Sequence, residues 1–145
     1  MREILPSRLW LGNAADLRDA ESILQNGIQA VVNLAIEQMM PPLPRTLICC
    51  HFPIMDSEQN SPTPLRSAIE TVVLFLRRGI PSLVCCSAGM SRSPAVIAGA
   101  LSLYEGGTPD DRLRQIALGY PHDVSPQLWQ DVRWLCAELD ERKQA

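Results

Sequence analysis

Short apolar runs alternate with amphipathic segments along this chain, and that order argues for an α/β fold with a mostly parallel sheet. RLWLGN (Arg8 to Asn13) has the character of a first strand. DLRDAESILQNG follows it, with Leu17, Ala20, Ile23 and Leu24 on one helical face and Gly27 placed to end the helix. IQAVVNLA (Ile28 to Ala35), rich in β-branched residues, is the second strand, and a loop holding Pro41, Pro42 and Pro44 leads to the third, TLICCHFPIM (Thr46 to Met55). Cys49 and Cys50 are expected to pack as strand residues. DSEQNSPT (Asp56 to Thr63) is polar and aperiodic, the most loop-like segment in the middle of the chain. PLRSAIETVVLFLRRG is a long helix with Pro64 in its first turn, Arg77 and Arg78 in its last and Gly79 just beyond. IPSLVCC is the last strand, and helical patterning resumes at SPAVIAGALSLYEGG. Two more helices close the chain, one opening at Thr108 and Pro109, the other at Ser125 and Pro126 with Leu128, Val132, Leu135 and Leu139 inward.

The 145 residues suit one compact core. A net charge of -3 provides no basic surface of the kind that nucleic acid requires. The longest apolar stretches fall short of the roughly 18 to 20 residues of a membrane span. MREILPSRLWLGNA lacks the long apolar run of a secretory signal, so a cytoplasmic location is expected. The five cysteines form two adjacent pairs and a singleton, which fits reduced thiols better than a disulfide framework. Neither His51 nor His122 has a second ligand at zinc spacing, and no cofactor or metal is expected.

The chemistry concentrates in VCCSAGMSRSPAV, Val84 to Val96. A strand that ends in a glycine-containing loop and enters a helix points backbone N–H groups at one spot, where the helix dipole favours negative charge. Ser87, Ala88, Gly89, Met90 and Ser91 would form that anion cradle, and Arg92 at the helix start can grip two phosphate oxygens at once. Cys86, at the mouth, meets a positive potential that favours thiolate, the nucleophilic form of the side chain. Attack on a bound phosphate monoester would give a thiophosphoryl intermediate.

Cysteine, five residues and arginine is a weak pattern by itself, and Cys136 to Arg142 repeats it as CAELDER. That second match lacks glycine, lies in a helical stretch and carries three acidic side chains that would repel phosphate. Cys136 is therefore assigned to the helix core.

CSAGMSRS resembles the signature loop of the cysteine-dependent protein phosphatases, and its AG-x-SRS core resembles their dual-specificity branch, in particular the small atypical members. ILPSRLWLGNAADL, GIQAVVNLA and HFPIMD resemble that family's elements in the same order, as do the helices after the loop, so the likeness covers most of the chain. It implies a protein-tyrosine-phosphatase-like fold, a central mostly parallel sheet of about five strands flanked by helices, with residues 1–145 forming a single catalytic domain. It also implies a general acid on a mobile loop, which places Asp56 in that role and Glu58 as the fallback. Ser93 gains a role in releasing the Cys86 thiolate, through a hydrogen bond to its sulfur, besides the capping expected of a serine at a helix start. The implied substrate is a phosphorylated protein or peptide. The family's histidine before the nucleophile is replaced by Cys85, read as a buried strand residue facing away from Cys86. Two other readings stay open: a catalytically silent phosphopeptide-binding module, and a phosphatase of non-protein esters. A loop without lysine or a second arginine disfavours polyanionic substrates.

Overall fold

A computed structural model of the protein describes residues 1–144, with side chains described for residues 1–140. Its sheet has five strands, β1 (Arg2–Leu5), β2 (Leu9–Gly12), β3 (Ala30–Ala35), β4 (Ile48–Ile54) and β5 (Ser82–Cys85), in the order β1-β2-β5-β3-β4. β2, β5, β3 and β4 run parallel, and β1 adds an antiparallel edge. β1 is an addition to the expected strands: its four residues have no clean alternation, and only their pairing with β2 makes them a strand.

The central strands are buried on both faces, as parallel strands are. Leu9, Leu11, Ala30, Val32, Leu34 and Val84 point to one side, and Trp10, Val31, Leu83 and Cys85 to the other. Helices α3 (Pro62–Arg78), α4 (Arg92–Glu105), α5 (Pro109–Ile116) and α6 (Pro126–Gln144) pack on the first side. α1 (Ala14–Leu17) and α2 (Ala20–Gln25) cover the second. α4 is the central helix, buried continuously from Arg92 to Ser102. A Cβ on Gly99 would meet Cys136 Sγ and Val132 Cγ1 at 3.0 Å, so that glycine lets α6 approach closely. Cys136 lies in this interface, and burial pushes its thiol up to about 11.

Four expectations need correction. The single helix expected after β2 is two short ones: Asn13 and Asp16 form a capping box at α1, and the Asp19 carboxylate accepts Ser22 N at 3.1 Å to begin α2. The break rotates Leu24 outward, and it is exposed rather than buried. Helix α3 starts at Pro62, two residues before Pro64, and shortens the loop accordingly. Cys49 is exposed, because β4 lies at the sheet edge, while Cys50 packs partly against the core.

Candidate active site

Parallel strands deliver their carboxyl ends to one edge, and loops from several of them meet there. Cys85 ends β5 between Gly12 of β2 and Asn33 of β3. The chain then leaves the sheet as the cradle. Cys86 N donates to Gly12 O at 3.4 Å and Ala14 N donates to Ser87 O at 3.1 Å, so the turn after β2 braces the loop. Gly89 has φ +73°, in the left-handed region, and a Cβ there would stand 3.0 Å from Gly12 O. Glycine is required here on both counts. Its N–H donates to Cys86 Sγ at 3.2 Å, which ties the turn of the loop to that side chain. Cys86 itself is buried below the start of α4.

The two adjacent cysteines part as expected: Cys86 joins the core under α3 and α4, and Cys85 joins the one under α1 and α2. Burial holds the Cys85 thiol far above the ordinary range, and the nearby Asp16 and Cys86 add to the shift.

Arg92 is the first residue of α4 and is buried. Its Nη1 donates to Glu37 Oε1 at 2.6 Å and to Ile54 O at 2.9 Å, and its Nη2 donates to Glu37 Oε2 at 2.5 Å. Burial disfavours the cation, but the hydrogen bonds and charge of Glu37, together with Cys86 and Asp56, outweigh it and raise the Arg92 pKa. The same bonds from Arg92 pull the Glu37 carboxyl down to about 2, against burial and with help from Ser87, whose Oγ donates to Glu37 Oε2 at 2.6 Å.

Asp56 stands just beyond β4, facing the cradle, and three contacts hold it there. Ser91 Oγ donates to Asp56 Oδ1, Ser125 Oγ donates to Asp56 O, and Ser125 N donates to Ser91 Oγ at 3.1 Å. Asn60 closes the loop behind it, accepting from Met55 N and donating to Met55 O, each at 2.8 Å. Glu58 is exposed on the same loop. Met90 stands partly exposed at the mouth, and its carbonyl accepts from Asp123 N at 2.8 Å.

Ser93 differs from expectation. The position before α4 is occupied by Ser91, and Ser93 is the second helical residue, so it cannot cap the helix. Its Oγ is buried with no hydrogen-bond partner, and the expected bond to the Cys86 sulfur is not made. Ser91, read only as part of the cradle, turns its hydroxyl to Asp56 instead.

Glu37, Asn60 and Ser125 are the site residues that the sequence reading leaves out. A signal for Glu37 existed, since it follows the carboxyl end of a strand expected to be parallel, where such sheets place their sites. Its pairing with Arg92, 55 positions later, has no local signature. Among the described residues no group of three or more histidine, cysteine, aspartate or glutamate side chains could hold a metal ion, and no helix is long and apolar enough to cross a membrane.

No family model matches the chain. Over 112 residues it is 33% identical to Dual specificity protein phosphatase 22 of Homo sapiens, a match covering 76% of this chain and 59% of that protein. The chain thus spans less than two thirds of that relative's length. The crystal structure of human DUSP28 superposes with a TM-score of 0.85 at 22% identity, over 98% of this chain and 99% of the other. That of mouse putative dual specificity phosphatase, complexed with zinc tungstate, gives 0.84 at 23% identity, over 97% and 89%. These likenesses show the fold: a mixed five-stranded sheet flanked by helices, of the protein-tyrosine-phosphatase type.

Proposed function

For a chain with the fold of the dual-specificity protein phosphatases, and with sequence identity to one of them over most of its length, we propose a metal-independent phosphomonoester hydrolase. In this reading it is a dual-specificity protein phosphatase acting on phosphotyrosine and phosphoserine or phosphothreonine in a protein or peptide. Residues 1–145 act as one catalytic domain, and the protein works in the cytoplasm. The observation that carries the reading is the convergence of Cys86, Arg92 and Asp56 at one sheet edge, with Ser91 belonging to the cradle and hydrogen-bonded to Asp56.

The steps follow from the residues. The phosphate monoester enters the cradle of residues Ser87 to Ser91, where loop amides and Arg92 hold its oxygens. The Cys86 thiolate attacks phosphorus in line: a P–S bond forms as the P–O bond to the substrate breaks, and Asp56 gives a proton to the departing oxygen. Arg92 and the amides stabilise the equatorial oxygens as charge shifts across them. Water then attacks phosphorus and gives a proton to the Asp56 carboxylate, and the P–S bond breaks to return thiolate and inorganic phosphate. The Ser93 hydroxyl, unpaired and making no bond to the Cys86 sulfur in this structure, would have to turn to that sulfur to stabilise the returning thiolate. The mouse putative dual specificity phosphatase of the same fold is complexed with zinc tungstate, and tungstate is a tetrahedral oxyanion like phosphate, which supports an oxyanion as ligand.

Hydrolysis of an aryl phosphate with a chelator present tests the reading. Turnover is expected in the wild type, with loss of at least three orders of magnitude in Cys86→Ser, the scale of removing a covalent nucleophile. Activity that survives Cys86→Ser would sink the proposal. The silent-binder reading has one feature in its favour, Cys85 where the family has histidine. Phosphotyrosine peptide binding without turnover at any pH would establish it instead.

A further inference from the structure

The donors of Arg92 can be counted. A guanidinium carries five N–H bonds in one plane. Both hydrogens of Nη1 are used, on Glu37 Oε1 and on Ile54 O. Nη2 spends one on Glu37 Oε2 and keeps one, and Nε is buried with no partner. Nε and Nη2 share an edge of the fork. Glu37 has therefore taken the terminal edge and left the lateral one, which offers two parallel donors of the kind that grips two oxygens of a tetrahedral anion. A carboxylate competing with phosphate would be expected on that lateral edge.

Glu37 is itself held by a built turn. Asn33, buried in the second half of β3, donates from Nδ2 to Gln38 O at 2.8 Å and accepts Ala35 N at 3.0 Å. Gln38 N donates to Ala35 O at 3.2 Å, and Ile36 N donates at 3.3 Å to Ile54 O, the carbonyl that Arg92 also uses. Ser87 Oγ adds a third bond to the carboxylate from inside the cradle.

We infer that Glu37 is a positioning residue for the phosphate site: its bidentate carboxylate sets the rotation of the Arg92 guanidinium, so that the Nε and Nη2 edge is presented to the substrate's oxyanion. The inference rests on the phosphatase reading for its substrate, but its test includes a measurement free of turnover.

In a Cys86→Ser protein, calorimetric binding of inorganic phosphate and of tungstate should weaken about tenfold on adding Glu37→Ala, one charge-assisted contact's worth of orientation. Glu37→Gln, which retains one acceptor, should fall between. In the Cys86 enzyme, Glu37→Ala should raise KM for an aryl phosphate and lower kcat together. In an Arg92→Lys background, where no fork remains to be turned, Glu37→Ala should change phosphate affinity less than about twofold. Unchanged or tighter anion binding, a lower KM, or the same loss in the Arg92→Lys background would overturn the assignment, as would no oxyanion binding at all in Cys86→Ser. A wild type without turnover whose anion affinity still depends on Glu37 would remove the phosphatase reading and leave the positioning role standing.

Discussion

The Ser91 hydroxyl, one residue before Arg92 in the anion cradle, donates its hydrogen bond to the Asp56 carboxylate rather than capping the helix that it precedes. Two loops separated by 35 positions are thereby joined. Ser125 N donates to the same hydroxyl and Ser125 Oγ donates to Asp56 O, so the carboxylate is held through its side chain and its backbone. Ser91 engages Oδ1 of Asp56, and in the proposed mechanism Oδ2 is the oxygen that serves the leaving group.

Replacing Ser91 by alanine removes one hydrogen bond to Asp56, and Ser125→Ala removes the hold on its carbonyl. A hydrogen bond of this kind contributes about 0.5 to 1.5 kcal/mol, so each variant should lose several-fold in kcat, up to about tenfold. The loss should be larger for an alkyl phosphate than for a nitrophenyl ester, because only the poor leaving group depends on the acid. Paired kcat measurements on the two esters check this.

Asp56→Asn should show that dependence more strongly. General acid catalysis contributes typically 10²- to 10⁴-fold, so turnover of a poor leaving group should fall within about that range, with a much smaller loss for a good one. The plot of log kcat against leaving-group pKa should steepen. An equal loss across the series would remove Asp56 from the role and bring the exposed Glu58 forward.

The Glu37 carboxyl is depressed from its ordinary 4.5 to about 2 by the hydrogen bonds of Arg92 and Ser87, working against burial. A depressed carboxyl stabilises the fold fully above its unfolded pKa, and that contribution drains away as pH falls through the folded value. The window is therefore between about pH 4.5 and 2. Because the side chain is 48% exposed, solvent screens the pair and the effect should be modest. Glu37→Gln should be less stable than wild type at pH 7, and the gap should narrow from about pH 4.5 and close near pH 2, as read from urea midpoints against pH.

Gly89→Ala places a Cβ 3.0 Å from Gly12 O on a backbone at φ +73°. The left-handed conformation alone costs an alanine roughly 1 to 2 kcal/mol. The loop should move away from β2 and carry Gly89 N off the Cys86 sulfur. Tungstate affinity should fall by at least tenfold, with a smaller drop in melting temperature, and equal affinity would show that the cradle tolerates the shift.

Cys85 should resist alkylation. It is buried with its thiol held far above the ordinary range by burial, Asp16 and Cys86, whereas Cys49 is exposed on the edge strand. Iodoacetamide at pH 8 followed by peptide mapping should find Cys49 modified well before Cys85. Comparable rates would place Cys85 within reach of solvent and reopen a redox role for the adjacent pair.

Much of the architecture is legible because it depends on short-range pattern. Apolar runs such as AVVNLA and SLVC are strands buried on both faces, and the helix starts at Pro109 and Pro126 follow from local capping chemistry. The misreadings occur where neighbours overrule the pattern. Leu24 has the spacing of a core residue, but Asp19 restarts the helix and turns it outward. Cys49 sits in an apolar run whose strand lies at the sheet edge. Ser93 stands two residues after the capping position, Ser91, and only the start of α4 at Arg92 reveals it.

By itself the sequence determined the loop from Cys86 to Arg92, because it is contiguous: a strand end, a left-handed glycine and a helix start constrain one another through local backbone geometry. Tertiary structure decided what surrounds that loop. Which carboxylate turns Arg92, and which serine holds Asp56, depends on strand order β1-β2-β5-β3-β4, which sets the ends of β3 and β4 beside the β5 loop. Contacts across 55 and 35 positions leave no periodic or local trace in a chain, since they are made only when parallel strands bring their carboxyl ends to one edge.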